Sequence, residues 1–125
     1  EYVSAFWNPV FKALNLIDQK RNEIVHWTTL VSIGDAVGVS LVPPNIYDLL
    51  ADQPAQPWDI ARLGAYSDEC SFYLRLINMF GFWTFSEMKV ADIDAQRKTW
   101  LDIFQQAPVY PPPDNHPLSP NYVEP

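Results

Sequence analysis

The sequence predicts a mainly helical, all-α fold: a compact bundle of three long helices, a short β segment near residues 28–42 and an extended proline-rich tail. Three observations carry this reading. Apolar residues recur at helical spacings in three stretches. Start and stop signals bracket those stretches at Asn8-Pro9, Pro57-Trp58 and Gly81. From Ala107 the chain is too dense in proline for a regular element.

Asn8 reads as the N-cap of the first helix, with Pro9 at the first helical position, where a missing N–H costs nothing. Val10, Ala13, Leu14, Ile17, Ile24 and Val31 recur on one face, while Lys12, Gln19, Lys20 and Glu23 take the wet side. The pattern predicts a helix over about residues 9–27. β-Branched runs at 28–33 and 37–42 then flank Gly34-Asp35-Ala36, as a short hairpin or as an extended loop. Pro43-Pro44 stops any regular element, and 45–56 reads as an irregular connection with a helical turn at Ile46–Leu50.

Pro57-Trp58 introduces the second helix. Its stripe is Ile60, Leu63, Ser67, Cys70, Leu74, Ile77 and Phe80, with Tyr66 and Tyr73 beside it, and it ends near Gly81. The third helix runs from about Ala91 to Gln105 on Ile93, Trp100, Leu101 and Phe104. Pro111-Pro112-Pro113 make the tail polyproline-like. Residues 1–106 thus read as one helical domain and 107–125 as its tail.

Composition bounds the function. A 125-residue chain, nearly half apolar and 14% aromatic, is of single-domain size and buries roughly two-thirds of its unfolded surface. A net charge of −7 excludes a broad basic face for nucleic acid or anionic membrane, but leaves room for a small cationic pocket. With Cys70 as its one cysteine, the chain forms no intrachain disulfide and no thiolate metal cluster, so a reducing, cytoplasmic setting is expected. Glu1-Tyr2-Val3-Ser4 lacks the basic and apolar parts of a signal peptide, and the missing Met start reads as a processed or truncated chain. The apolar stretch 72–85 is short and carries Arg75, so no membrane span is expected.

The chemically pointed segment is Arg21-Asn22-Glu23-Ile24-Val25-His26. On a helix Asn22 and His26 lie one turn apart on one face, with Arg21 beside Asn22 around the cylinder. An imidazole shuttles protons near neutral pH, and a guanidinium holds a phosphate or a pentavalent phosphorus through paired hydrogen bonds. Those are the parts for attack of a ribose 2′-hydroxyl on its own phosphodiester, with no metal. The alternative is structural: an Arg and a His near a helix end cap its last carbonyls or pair with an acid, and Asp18 and Glu23 are within reach.

The run Leu16-Ile17-Asp18-Gln19-Lys20-Arg21-Asn22-Glu23-Ile24-Val25-His26-Trp27 resembles the signature of the HEPN superfamily, all-helical domains with an Arg-x(4–6)-His motif. Here the gap is four residues and Asn follows Arg. Pro57-Trp58-Asp59-Ile60, opening a long helix that continues through Phe72-Tyr73-Leu74, resembles the later HEPN layout. The specific likeness covers about a dozen positions. It implies that Arg21 and His26 are the catalytic pair of a metal-independent endoribonuclease of a defence or toxin–antitoxin system, with Asn22 assisting. It also implies a homodimer that brings two motifs together, and RNA as the substrate. Family members usually carry one or two helices before the motif helix, whereas seven residues precede Asn8 here. Other members are non-catalytic, so the same fold also stands as a helical protein-interaction or dimerisation module.

Other residues point to no chemistry. His116 has no Cys or acid cluster near it in sequence and no HExxH-like spacing, so neither metal nor cofactor is expected. Asp92 and Asp94 suit a helix start, and Asp68-Glu69 a solvated face. Gly34–Gly38 lacks the Lys-Ser/Thr end of a phosphate loop, and Ser4, Ser32, Ser40 and Ser71 lack a Gly-x-Ser-x-Gly context. Cys70 and the five tryptophans read as packing and interface residues. The prolines at 111–113 fit an aromatic groove on a partner, a linker, or a tail that wraps its own domain.

Overall fold

The first helical stretch starts before Asn8-Pro9. In the computed structural model, which describes residues 2–32, 38–43, 56–85 and 93–124, a π-helical turn at Val3–Trp7 runs straight into helix α1, Asn8–His26. Asn8 has helical dihedrals (φ −61°, ψ −46°), and its N–H donates to the Val3 carbonyl five residues back. It is therefore inside the helical run rather than an N-cap. The reason is Pro9, which donates no N–H and whose ring crowds the carbonyl four residues back in a regular helix. The wider π turn before it relieves that crowding without ending the helix.

Strands β1 (Thr28–Ser32) and β2 (Gly38–Val42) pair antiparallel, with Thr28 opposite Val42 and Ser32 opposite Gly38. Of the two readings for this segment, the hairpin is the one formed. Val31 lies on β1, not on the helical stripe, because Thr28, Thr29 and Val31 favour a pleated backbone. Trp58 adds a bridge to β2, its backbone exchanging hydrogen bonds with Leu41 at 2.7 and 2.8 Å. Gly34-Asp35-Ala36, Pro44, the helical turn expected at Ile46–Leu50 and Asp92 lie outside the described residues.

Helix α2 spans Ile60–Phe85. The Asp59 carboxylate accepts the Arg62 backbone N–H at 2.7 Å, a side-chain cap on the first turn. The helix passes through Gly81, which does not adopt the left-handed backbone of a terminator, and ends four residues later than expected. Its buried face is Phe72, Tyr73, Leu76, Phe80 and Trp83. These five fall within an arc of roughly 100°, whereas Leu74 of the predicted stripe is 61% exposed and Ile60 76%. Residues 72–85 are apolar nearly all round, so periodicity alone does not choose a face. Ser71, Arg75 and Asn78, all exposed, mark the opposite side.

Helix α3 is Asp94–Ile103, ending two residues before the predicted Gln105, with Asp94 in its first turn. Trp100 and the following Phe104 are buried, as their spacing predicts. Among the described residues the proline-dense chain after Ala107 holds no helix or strand, and from Asp114 it turns repeatedly. His116 N–H donates to Pro113 O, Ser119 N–H to His116 O and Tyr122 N–H to Ser119 O.

The chain divides into two compact units, residues 1–14 with 69–125, and residues 15–68. In the first, the Phe6 ring lies parallel to Phe80 at 5.2 Å, and Phe104 meets both edge-on at 5.1 and 5.0 Å. Residues 107–124 belong to this unit. Tyr110 and His116 bring rings to Phe72 at 5.3 and 5.8 Å, and His116 also meets Trp100 at 5.9 Å, which covers apolar surface of α2 and α3. The second unit is built around Trp58, 1% exposed. Among the described residues no helix is long and apolar enough to cross a membrane.

Candidate functional site

Arg21, Asn22 and His26 occupy the last two turns of α1, and all three are exposed. Arg21 Nε donates to Asp18 Oδ1 at 3.0 Å, and its Nη2 donates to Asn22 Oδ1 at 3.1 Å. The segment therefore brings Arg21 and Asn22 into direct contact, with His26 one turn beyond Asn22 on the same exposed face. His26 is the basic residue of the last turn.

Two acids were in reach of Arg21, and the structure separates them. Asp18 holds the guanidinium as an i,i+3 pair in which both side chains are about 60% exposed (59% and 61%). Glu23 points elsewhere, to the Trp58 indole N–H at 2.9 Å and to Arg62 at 4.0 Å. A pair as exposed as Arg21–Asp18 is worth at most about 1 kcal/mol, or roughly a fivefold equilibrium factor. Releasing Arg21 to a phosphate is therefore cheap, because a bidentate guanidinium–phosphate contact is the stronger bond.

Sequence reasoning missed the cluster that holds this end of α1. Trp58 is buried and its ring carries the Arg62 guanidinium 3.7 Å from its centroid. Arg62 also donates to the carbonyls of Gln56 and Pro57, the latter at 3.3 Å. Tyr66 meets Trp58 edge-on at 5.7 Å and its hydroxyl donates to Ile17 O at 3.4 Å. The one available signal was chemical: a buried tryptophan needs an acceptor for its N–H. Nothing in spacing pairs Trp58 with Glu23, 35 residues away.

The remaining candidates are placed away from any cluster of ligands. Among the described residues no group of three or more His, Cys, Asp or Glu side chains is disposed to hold a metal. Cys70 is half-buried on α2, Asp68 is exposed and Glu69 half-buried. His116 is half-buried between Phe72 and Trp100, and its Nδ1 accepts the Leu118 N–H at 3.0 Å. Burial holds its pKa below the ordinary histidine value. Comparison with protein-family models, curated protein sequences and solved structures finds no match for this chain.

Proposed function

We propose that this chain is a HEPN-like helical domain that cleaves RNA without a metal, using Arg21, Asn22 and His26 of α1. The observation that supports it best is the shared exposure of the three, with Arg21 hydrogen-bonded to Asn22 and His26 one turn away, open to a substrate. In this reading His26 takes the proton of a ribose 2′-hydroxyl, and the oxygen attacks the adjacent phosphorus. The bond to the 5′-oxygen breaks, and that oxygen leaves with a proton supplied by a second acid. Arg21, released from Asp18, bears the negative charge of the pentavalent phosphorus, and Asn22 orients Arg21 through its amide oxygen. The products are a 2′,3′-cyclic phosphate and a free 5′-hydroxyl. A second copy of the chain, presenting its own motif across a dimer interface, supplies the second acid.

The test is incubation of the purified protein with single- and double-stranded RNA in excess EDTA. Fragments ending in 2′,3′-cyclic phosphate are expected, and intact RNA would sink the reading.

A second reading, a non-catalytic interaction module on the same helices, is favoured by Arg21 already having Asp18 as its partner. Exposed apolar side chains on α1, Phe11, Leu16 and Val25, suit it as well. It predicts that Arg21→Ala and His26→Ala variants keep any self-association of the wild type and that RNA stays intact.

A further inference from the structure

The C-terminal turns leave a cleft against α3 that the RNA-cleaving reading does not use. Its volume is about 380 Å³, inside the range of small-molecule sites, roughly 300–1,000 Å³. Gln96, Thr99 and Trp100 line it from α3, and Pro117, Tyr122 and Glu124 from the C-terminal segment. The Trp100 ring packs against Phe104 at 5.8 Å and His116 at 5.9 Å, which holds its orientation. At the rim, Gln96 Nε2 donates to Glu124 Oε1 at 2.7 Å, which holds the carboxylate in place with a neutral partner.

The charge balance of this lining is one-sided. None of the lining residues is cationic, and the contact that the Glu124 carboxylate makes at the rim is with the neutral Gln96 amide. The Thr99 hydroxyl is turned back to donate to Ala95 O at 3.1 Å. Two aromatic side chains, a proline and a carboxylate repel an anion and attract a cation that carries an apolar skin. A bare metal ion or a primary ammonium stays hydrated and gains little from ring faces; a methylated ammonium sheds its water readily.

We propose that this cleft binds a methylated ammonium group, walled by Trp100 and Tyr122 and neutralised by Glu124. Two sources share that chemistry, a free choline-type molecule and the side chain of a methylated lysine.

The experiment follows the tryptophan indole N–H and Tyr122 signals by NMR in the full chain. The probes are choline, its neutral carbon isostere 3,3-dimethylbutan-1-ol, and a peptide with trimethyllysine or unmodified lysine. Choline is expected to move the Trp100 and Tyr122 signals, with the neutral isostere on the order of tenfold weaker. Glu124→Gln, which still accepts from Gln96, is expected to weaken choline by a similar factor while leaving the isostere unchanged and the circular dichroism intact. Tighter binding of the trimethyllysine peptide than of choline assigns the site to a protein partner; equal affinity assigns it to a small molecule. Equal binding of choline and its isostere, or no shift with any ammonium probe, overturns the proposal.

Discussion

The indole N–H of Trp58 donates to Glu23 Oε2 at 2.9 Å, so the entry to α2 is tied to the turn of α1 that carries Arg21 and His26. The donor is on a buried ring and the acceptor is charged, a pairing worth more than an ordinary neutral hydrogen bond. Removing the acceptor leaves a buried N–H unsatisfied. Glu23→Ala is therefore expected to lower the unfolding free energy by about 1–3 kcal/mol in urea titration. Glu23→Gln, which keeps an accepting oxygen, is expected to lose less than about 1 kcal/mol. Equal losses in the two variants would show that the contact contributes nothing.

The buried face of α2 is tested by two leucines two residues apart. Leu76 is fully buried and Leu74 is 61% exposed. Leu76→Ala leaves a cavity and is expected to destabilise by about 2–5 kcal/mol, against roughly 0.5 kcal/mol or less for Leu74→Ala. Thermal or chemical denaturation reads the difference. The reverse order would return the core to the stripe that periodicity alone selects.

His116 makes the fold pH-sensitive from the acid side. Its Nδ1 accepts the Leu118 N–H, and burial lowers its pKa from the ordinary 6.5, so the folded chain holds the neutral ring more tightly than the unfolded chain does. The unfolded state then binds the extra proton first, and stability falls as the pH drops below about 6.5 until the folded pKa is passed. The loss is at most about 1.4 kcal/mol per unit of pKa difference. Between pH 7.5 and 5.5 the wild type should lose more stability than His116→Gln. Parallel curves would mean the ring does not titrate differently on folding.

In the RNA-cleaving reading, Asp18 sets how readily Arg21 reaches a phosphate. Asp18→Asn removes an exposed ion pair worth at most about 1 kcal/mol, so RNA affinity should rise by a few-fold, up to roughly five. Asp68→Asn, which deletes an exposed acid of the same unit, controls for the change in net charge. If the two variants bind RNA equally, Arg21 does not meet the substrate.

How much of this was legible in the sequence follows from what each element rests on. The helices show because periodicity is local: Val10, Trp100 and Phe104 are buried where their spacing puts them. The buried face of α2 showed only at Tyr73 and Phe80, because residues 72–85 offer apolar side chains on nearly every side and only Ser71, Arg75 and Asn78 mark the wet one. Pro9 looked like a start signal because a π turn, which lets a helix run into a proline, has no distinct composition. The sharing of Asp18 and Glu23 between Arg21 and Trp58 depends on a contact 35 residues long, beyond any local pattern. That Arg21, Asn22 and His26 share an exposed patch, by contrast, follows from helical spacing and the polarity of their neighbours.

The central claim is that His26 moves the proton in RNA cleavage. The most direct measurement is the single-turnover cleavage rate of one RNA in EDTA, wild type against His26→Ala, with circular dichroism showing both folded. The account predicts a loss of roughly 100-fold or more, the usual contribution of a positioned acid–base group. Cleavage by His26→Ala at the wild-type rate, or no cleavage by either protein, would contradict it.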